Sequence, residues 1–211
     1  MKPIKNYVIV EAQSPERKTK SGLTIVTSYN PSEHVPVIGT IKELPLKLSN
    51  NNPIEAQIGD TVFMDRYACL MAWGKEVSEE SIVDDNSILK IDGKIHFYIN
   101  YGNMYMSLRG DKKIMLNNYL LVTPVKMKEK SDLVIDKEYY SDIVFKCEVG
   151  DEDVEAGQYI VIQRSRGKKG NLQYYVFPVE QHDYTTLEKQ YYVVNKSNVV
   201  AIMNELNLEI K

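Results

Sequence analysis

Short runs rich in Val, Ile, Tyr and Phe recur along the whole chain, and clusters of Asn, Gly, Asp and Pro separate them. Runs of roughly four to eight residues with this composition, bounded by turn-forming residues, are typical of β-strands. Segments with apolar residues at helical spacing are far fewer. The pattern therefore predicts a mostly β protein, built from many short strands.

Strand boundaries follow from these runs. Asp92-Gly93 between two of them predicts a type I′ hairpin, because both central residues of that turn need a positive φ. Helix is predicted only for "SEESIV" from Ser78 and for the tail "AIMNELNLEI". The predicted strands cover residues 7–10, 37–43, 60–64, 88–91, 94–99, 113–116, 119–125, 143–149, 158–163, 173–178, 191–194 and 199–203.

The two halves of the chain repeat the same order of segments. The first half contains, in order, "NYVIV", "SGLTIV", "GTIKELP" and "QIGDTVFM", and the second contains "NYLLV", "SDLVI", "VFKCEVG" and "EAGQYIVIQ". "KKIMLNNYLLVTP" and "QYYVVNKSNVVAIM" close the two halves as strand, asparagine-rich turn and strand. This order predicts a divergent tandem repeat of two domains, residues 1–117 and 118–211, with an insertion at about 65–110 in the first.

Composition excludes several classes of protein. The 26 basic residues nearly balance the 29 acidic ones, so the chain lacks the basic surface of a nucleic-acid-binding protein. No stretch approaches the roughly 20 apolar residues that cross a bilayer, and the first ten residues lack the apolar core of a signal peptide. Cys69 and Cys147 stand far apart, as reduced thiols do in cytosolic proteins. We expect a cytoplasmic protein that binds neither nucleic acid nor membrane.

Catalytic and metal-binding motifs are missing from the sequence. His34, His96 and His182 have no Cys, His or carboxylate at the spacing of a zinc site. A GxSxG elbow, a P-loop and a GxGxxG turn after a strand are also missing. We therefore expect no catalytic residues, no metal, no cofactor and no enzymatic activity.

The stretch "TKSGLTIVTS", residues 19–28, places Leu23, Ile25 and Val26 among polar residues and a glycine. Its surroundings, from Ser14 to Gly22, contain too little apolar surface to hold the segment against a core. Apolar side chains left in water favour a binding surface for another molecule. The alternative is an ordinary edge strand over a core, and it applies also to "SDLVI" in the second half.

The order of these segments resembles the GroES-like family, the co-chaperonins that cap chaperonin cages. Family members begin with a strand of "DRVIVK" type, continue through a loop of "TKSGGIVL" type, and then have strands of "GEVLAVG" and "VKVGDIVIF" type. Their last segment is of "EEVLIMSESDILAIV" type. The matching segments here are "NYVIVE", "TKSGLTIVT", "GTIKELP", "AQIGDTVFM" and "KKIMLNNYLLV", and the second half repeats the order with "SDLVI" and "QYYVVNKSNVVAIM".

The resemblance implies a fold and a function. It implies two tandem, partly open β-barrels with long loops, a homo-oligomeric ring, and a GroEL-type chaperonin as the partner that supplies ATP hydrolysis. A mobile loop at about residues 14–32 would dock its apolar segment on the chaperonin. Thr24 interrupts the usual apolar trio, and Asp132 replaces the usual glycine in the second loop. The implied partner-binding residues are Leu23, Thr24, Ile25 and Val26, and secondly Leu133, Val134 and Ile135.

A second hypothesis comes from a different class of protein. The chain could be a structural assembly protein, such as a virion or ring component, that keeps the fold and does not bind a chaperonin. The segments at about 65–110 that have no evident counterpart in the second half would suit such a use. The two hypotheses differ in what covers the apolar side chains of residues 23–26.

Overall fold

The computed structural model describes residues 2–12, 35–77, 87–129, 137–163, 165–166, 172–173, 176–178 and 191–206. The chain divides into two compact units, Met1–Leu116 and Asn117–Lys211, called here the first and second unit. Antiparallel strands make up most of each unit. The predicted all-β fold is confirmed.

The first unit contains one seven-stranded antiparallel sheet and one helix. The strands lie across the sheet in the order β4-β5-β1-β2-β3-β6-β7, and a 3₁₀ turn, Tyr101–Asn103, joins β5 to β6. The elements are β1 (Tyr7–Ala12), β2 (Ile38–Glu43), β3 (Thr61–Met64), α1 (Arg66–Val77), β4 (Ser87–Ile91), β5 (Lys94–Asn100), β6 (Met104–Arg109) and β7 (Lys112–Met115).

The core of the first unit lies on one face of this sheet. Val8 and Val10 alternate along β1 toward it, as the two-residue period of a strand requires, and both are fully buried. Helix α1 contributes Ala68, Cys69 and Ala72 to the same core. The helix begins at Asp65, whose side chain accepts a hydrogen bond from the Ala68 backbone N–H at 2.7 Å.

The second unit contains a six-stranded antiparallel sheet and a separate two-stranded ribbon of β11 and β12. The sheet order is β13-β14-β8-β9-β10-β15, and a 3₁₀ turn, Lys196–Asn198, joins β14 to β15. The strands are β8 (Tyr119–Glu129), β9 (Lys137–Val149), β10 (Tyr159–Ile162), β11 (Ser165–Arg166), β12 (Leu172–Gln173), β13 (Val176–Pro178), β14 (Tyr192–Asn195) and β15 (Val199–Met203).

Both sheets are open. In the described part of the chain, the two outer strands of the first sheet, β4 and β7, do not pair with each other, and neither do β13 and β15 of the second. The sequence analysis expected partly open barrels, and the described strands of each unit form an open antiparallel sheet, not a closed barrel. Each sheet instead buries its apolar face under its own connections, including helix α1 in the first unit.

Six strands of the two units have the same order and the same register. The order β4-β5-β1-β2-β3-β6 corresponds to β13-β14-β8-β9-β10-β15, so β7 is the additional strand of the first unit. A register shift between Ile9 and Val10 of β1 recurs between Leu121 and Val122 of β8. Another between Phe63 and Met64 of β3 recurs in β10. Because a β-bulge is a specific local feature, its recurrence at matching positions indicates equivalent strands.

Backbone hydrogen bonds outside the ladders also recur. The Tyr101 N–H donates to the Asn6 carbonyl in the first unit, and the Lys196 N–H donates to the Asn118 carbonyl in the second. A second pair of hydrogen bonds also recurs: the Gly59 N–H donates to the Ile41 carbonyl, and the Gly157 N–H donates to the Cys147 carbonyl, at 2.8 Å each. Both glycines have positive φ, 93° and 97°, which glycine adopts without strain.

The closing segment of the first unit is formed by residues 94–109, which the sequence analysis assigned to the insertion. These residues form β5, an asparagine-capped 3₁₀ turn and β6, and residues 192–203 form the same arrangement in the second unit. The turn is capped by Asn100 in one unit and Asn195 in the other, each accepting from a backbone N–H two residues ahead at 3.0 Å. The helix α1 has no helical counterpart in the described residues of the second unit.

Neither of the two helix predictions is confirmed. The segment from Ser78 lies outside the described residues. The predicted tail helix is wrong at its start, because Ala201–Met203 continue strand β15 and pair with β10. The predicted hairpin at Asp92-Gly93 is confirmed, with φ values of 51° and 75° between the paired strands β4 and β5.

Candidate functional site

The candidate site is the connection between the adjacent strands β1 and β2. Ala12, the last residue of β1, pairs with Gly39, and Glu11 pairs with Thr40. A hairpin between two such strands needs only roughly two to five residues, whereas residues 13–37 join these two, of which 13–34 lie outside the described residues. A connection this much longer than the topology requires is typical of a functional loop.

The predicted partner-binding residues lie in such connections. Leu23, Thr24, Ile25 and Val26 fall within residues 13–34, outside the described residues. Leu133, Val134 and Ile135 fall within residues 130–136, between β8 and β9, and are also outside them. The structure describes the strand ends where each connection begins and ends, called here the base of the connection. The two bases differ.

A charged cluster fixes the base of the first connection. The Glu11 carboxylate forms ion pairs with the ammonium groups of Lys42 and Lys94, at 3.0 Å each, and its Oε2 lies 3.7 Å from Nε2 of His96. The three partners lie on β2 and β5, the two strands that flank β1 in the sheet. Hydrogen bonds from Lys94 and Lys42 lower the pKa of Glu11, so its charge is kept where the chain leaves the sheet.

The apolar side of the same base is tightly packed. Val35 and Val37, which lead into β2, are buried, and Val35 belongs to the core of the first unit. A Cβ atom at Gly39 would lie 2.5 Å from both the Glu11 carbonyl oxygen and Cγ1 of Val10. Ala12 and Val35, the described residues that flank residues 13–34, are therefore both held on the first unit, by strand pairing, by the Glu11 ion pairs and by this packing.

The base of the second connection is a longer β-ladder. β8 and β9 pair as far as Glu129 and Lys137, so only residues 130–136 separate them. At about 3.3–3.6 Å per residue, Val134 can extend about 10 Å at most from Lys137, whereas Ile25 can extend about 33 Å from Val35. Only the first connection is long enough to carry an apolar segment far from its own sheet.

A buried polar network holds the β2–β3 connection of the first unit. The Arg109 guanidinium donates to both carboxylate oxygens of Asp60, from Nε at 3.0 Å and from Nη2 at 2.9 Å. Arg109 Nη2 also donates to the Glu55 carbonyl, and the Tyr101 hydroxyl accepts from the backbone N–H groups of Glu55 and Ala56. Sequence reasoning missed this network because Asp60 and Arg109 are 49 residues apart.

Acid stability provides a test of this network. Burial raises the pKa of Asp60, but hydrogen bonds from Arg109, the Gln57 N–H and Ser107 outweigh it and hold the pKa below its ordinary value of 3.8. The charged carboxylate therefore stabilises the fold above that value, and its contribution is lost as the pH falls through the lowered pKa. Asp60→Asn should lower the free energy of unfolding by about 1–3 kcal/mol at pH 7, because it weakens the charge-assisted hydrogen bonds.

The measurement is urea unfolding of the parent and the variant between pH 7 and pH 2. We expect the difference between them to shrink as the pH falls, because the parent then loses what the variant already lacks. Asp92→Asn, at an exposed hairpin position that suits either residue, is the matched control. A constant difference between parent and Asp60→Asn across this range would contradict the assignment.

Metal and membrane sites were also sought. Within residues 2–12, 35–77, 87–129 and the later described segments, no group of three His, Cys, Asp or Glu side chains is arranged to hold a metal ion. Cys69 and Cys147 are buried free thiols, and burial raises the pKa of both. No helix in the described part of the chain has the length and hydrophobicity needed to span a membrane.

The described strands form open antiparallel sheets, and a long connection joins β1 to β2. These two features define a class of all-β proteins that present a long loop. The model of the chaperonin 10 kDa subunit family matches residues 1–102, just under half of the chain, so the chain is similar to that family over its first unit. The match includes all of residues 13–34 and ends at the 3₁₀ turn Tyr101–Asn103. A comparison with curated proteins found no match.

The family confirms the resemblance that the sequence motifs indicated. It is a family of co-chaperonins, so it supports a co-chaperonin function in general, and its members are not enzymes. The match ends at residue 102, within the 3₁₀ turn Tyr101–Asn103, so it includes β5 and ends before β6.

Proposed function

We propose that this protein is a co-chaperonin that assembles into a ring and caps a GroEL-type chaperonin through the apolar segment at residues 23–26. The observation that carries the proposal is the match to the chaperonin 10 family, which contains the whole β1–β2 connection. Charged and apolar contacts fix both ends of that connection to the sheet. A long connection on a fixed base is suited to presenting a segment to another molecule.

The energetics suit reversible capping. Ordering a loop costs about 1–2 kcal/mol of backbone entropy per residue, which is comparable to the roughly 1.5–3 kcal/mol gained by burying each of Leu23, Ile25 and Val26. One segment therefore binds weakly. Several copies on one ring bind together with much higher avidity, and a conformational change of the chaperonin releases them together.

Self-association is proposed from β15, an outer strand among the described strands of the second unit's sheet. In the first unit, β7 pairs with β6, and Tyr105, Met106 and Ser107 of β6 are buried. In the second unit, β15 occupies the equivalent position, and no described strand pairs with its outer edge. Val200 and Ile202 of β15 are 61% and 44% exposed.

An apolar edge strand is a ready site for pairing with another chain, and natural proteins rarely leave one uncovered. A second copy of the chain is the occupant proposed here, because a ring of identical copies would cover every such edge. The hypothesis of a purely structural assembly protein has no support from the family match, since the matched residues include the connection that the family uses.

Association with a chaperonin tests the proposal directly. The full-length chain is mixed with a GroEL-type chaperonin in the presence of ADP, in its absence, or with ATP, and complexes are separated by sedimentation velocity. We expect cosedimentation that depends on nucleotide, at a stoichiometry of one assembly per chaperonin ring. A chain that assembles but fails to cosediment under all three conditions would refute the capping function.

A further inference from the structure

We infer that residues 2–4 of one copy of the chain, called here the lead segment, pair as a strand with the outer edge of β15 of another copy. In this pairing Lys2 lies opposite Ile202, and Ile4 lies opposite Val200. The inference rests on the self-association proposed above, because it names the segment that covers the β15 edge. It is argued from β7, which covers the equivalent edge within the first unit.

The lead segment and β7 occupy equivalent places in the two halves of the chain. The sequence "KPIKNYVIV" leads into β1, and "IMLNNYLLV" leads into β8. Lys5 and Asn117 have the same place in these two sequences, and both have a positive φ, 56° and 54°. Because residues other than glycine seldom adopt this conformation, the shared value indicates the same turn before each strand. Ile4 is therefore equivalent to Leu116.

Strands β6 and β15 are equivalent as well, because each directly follows an asparagine-capped 3₁₀ turn. Counted from that turn, Tyr105 of β6 corresponds to Val200 of β15. In the first unit, the Leu116 N–H donates to the Tyr105 carbonyl at 2.9 Å, which extends the β6–β7 ladder by one residue. Among the described residues of the second unit, no strand takes this place beside β15.

The two positions that β7 buries in the first unit are exposed elsewhere in the chain. Leu116 is 0% exposed and belongs to the core of the first unit, and Tyr105 opposite it is 6% exposed. Their equivalents, Ile4 and Val200, are 67% and 61% exposed. Pairing the lead segment with β15 of another copy would remove both aliphatic side chains from water, which favours association.

Ile202 is the next residue at the same edge. It lies opposite Ile160 of the main core of the second unit, so its side chain is on the core face, yet it is 44% exposed. In the first unit the equivalent Ser107 is fully buried opposite Ile114 of β7. Lys2 is the equivalent of Ile114, and its aliphatic stem would cover Ile202 while its ammonium group stays in water.

The proline of the lead segment suits this pairing. Directly opposite residues in an antiparallel ladder alternate between hydrogen-bonded and non-hydrogen-bonded pairs. The bond from Leu116 to Tyr105 makes their pair the hydrogen-bonded kind, so the N–H of Met115 is not used in the ladder. Pro3 is the equivalent of Met115. It therefore lacks an N–H at the one position of the lead segment where the ladder needs none.

The contact is head to tail. Each copy offers one lead segment and one β15 edge, and these are different surfaces of the chain. A heterologous contact of this kind builds a closed ring when its rotation closes and an open filament when it does not. The competing arrangement is a symmetric pairing of β15 with β15 of another copy, which would leave Ile4 exposed.

Disulfide trapping between full-length chains tests the register. Lys2→Cys is mixed with Ile202→Cys under mild oxidation, and covalent dimers are separated on a non-reducing gel. Hydrogen-bonded opposite residues have Cα atoms about 5.5 Å apart, which a disulfide can span. We expect dimers to form at least about tenfold faster than in the matched mixture of Lys2→Cys with Ala201→Cys, because residue 201 faces the other side of the strand. Equal rates, or no dimers from a protein that assembles, would overturn the inference.

Assembly of Ile4→Asp supplies a second readout. The variant should raise the concentration of half-assembly, measured by mass photometry, by at least about tenfold, because a charge replaces a buried aliphatic side chain in the contact. Ile58→Asp is the matched control, since Ile58 is 63% exposed, and it should assemble like the parent. A thermal melt should show both variants folded. Parent-like assembly of Ile4→Asp would overturn the inference alone, whereas a parent that stays single at every concentration would refute self-association itself.

Discussion

Leu23→Ser combined with Ile25→Ser is expected to weaken binding to a GroEL-type chaperonin by at least about 100-fold. Burial of each apolar side chain contributes about 1.5–3 kcal/mol, so the loss of both removes at least about 3 kcal/mol per segment. In an extended segment the two residues point to the same side, and Thr24 points to the other. In a ring, every segment is affected, so the loss of avidity is larger than the loss at one segment.

Titration of labelled protein against the chaperonin with ADP measures this effect. Thr19→Ser combined with Thr27→Ser is the matched control, because it changes the same connection at two positions and leaves the apolar residues in place. The control should bind like the parent. Unchanged affinity of the Leu23 and Ile25 variant would show that another surface makes the contact.

Val200→Lys combined with Ile202→Lys is expected to convert the assembly into single chains at micromolar concentration. Both side chains lie exposed on β15, whose outer edge is unpaired in the described residues. Lysine on an edge strand opposes pairing, because its charge must be desolvated when another strand adds to the edge. Both positions are already exposed in the unit itself, so the thermal stability of the single chain should change little.

Mass photometry at several concentrations reports the number of chains in each particle. Leu46→Lys combined with Ile58→Lys is the matched control: it also replaces two exposed aliphatic residues with lysines, away from any strand. The control should assemble like the parent. If the β15 variant keeps the parent's mass at all concentrations, the β15 edge is not the interface.

Strands could be predicted from the sequence because their signal is local. In β1, the continuous aliphatic run Val8 to Val10 is buried, and Asp92-Gly93 marks the turn between β4 and β5 through a backbone requirement of its own. The sequence analysis also predicted a tandem repeat, which stays a prediction, and it placed the first closing segment at residues 112–124, whereas β5, the 3₁₀ turn and β6 lie at residues 94–109. That error arose because "KKIMLNNYLLV" and "KIHFYINYGNMYMSL" both have the pattern of strand, asparagine turn and strand.

Helix α1 and the Asp60–Arg109 pair could not be found in the same way. The helix begins without an acidic residue in its first turn, and its apolar residues do not form a clear stripe, although Asp65 just before it is a usable capping signal. The Asp60–Arg109 contact depends on β3 and β6 being neighbours in the sheet, which is known only once the topology is known. The assignment of residues 23–26 as the binding segment remains a prediction.

The recurring bulges also bear on how the chain can change over evolutionary time. A bulge offsets the phase of every side chain beyond it, so an insertion or deletion of one residue in β1 would turn Val8 or its successors to the opposite face of the sheet. Insertions between strands carry no such penalty, and helix α1 stands in one of these gaps. Lineages carrying this chain should accordingly vary in the lengths of their connections while the spacing within strands stays constant.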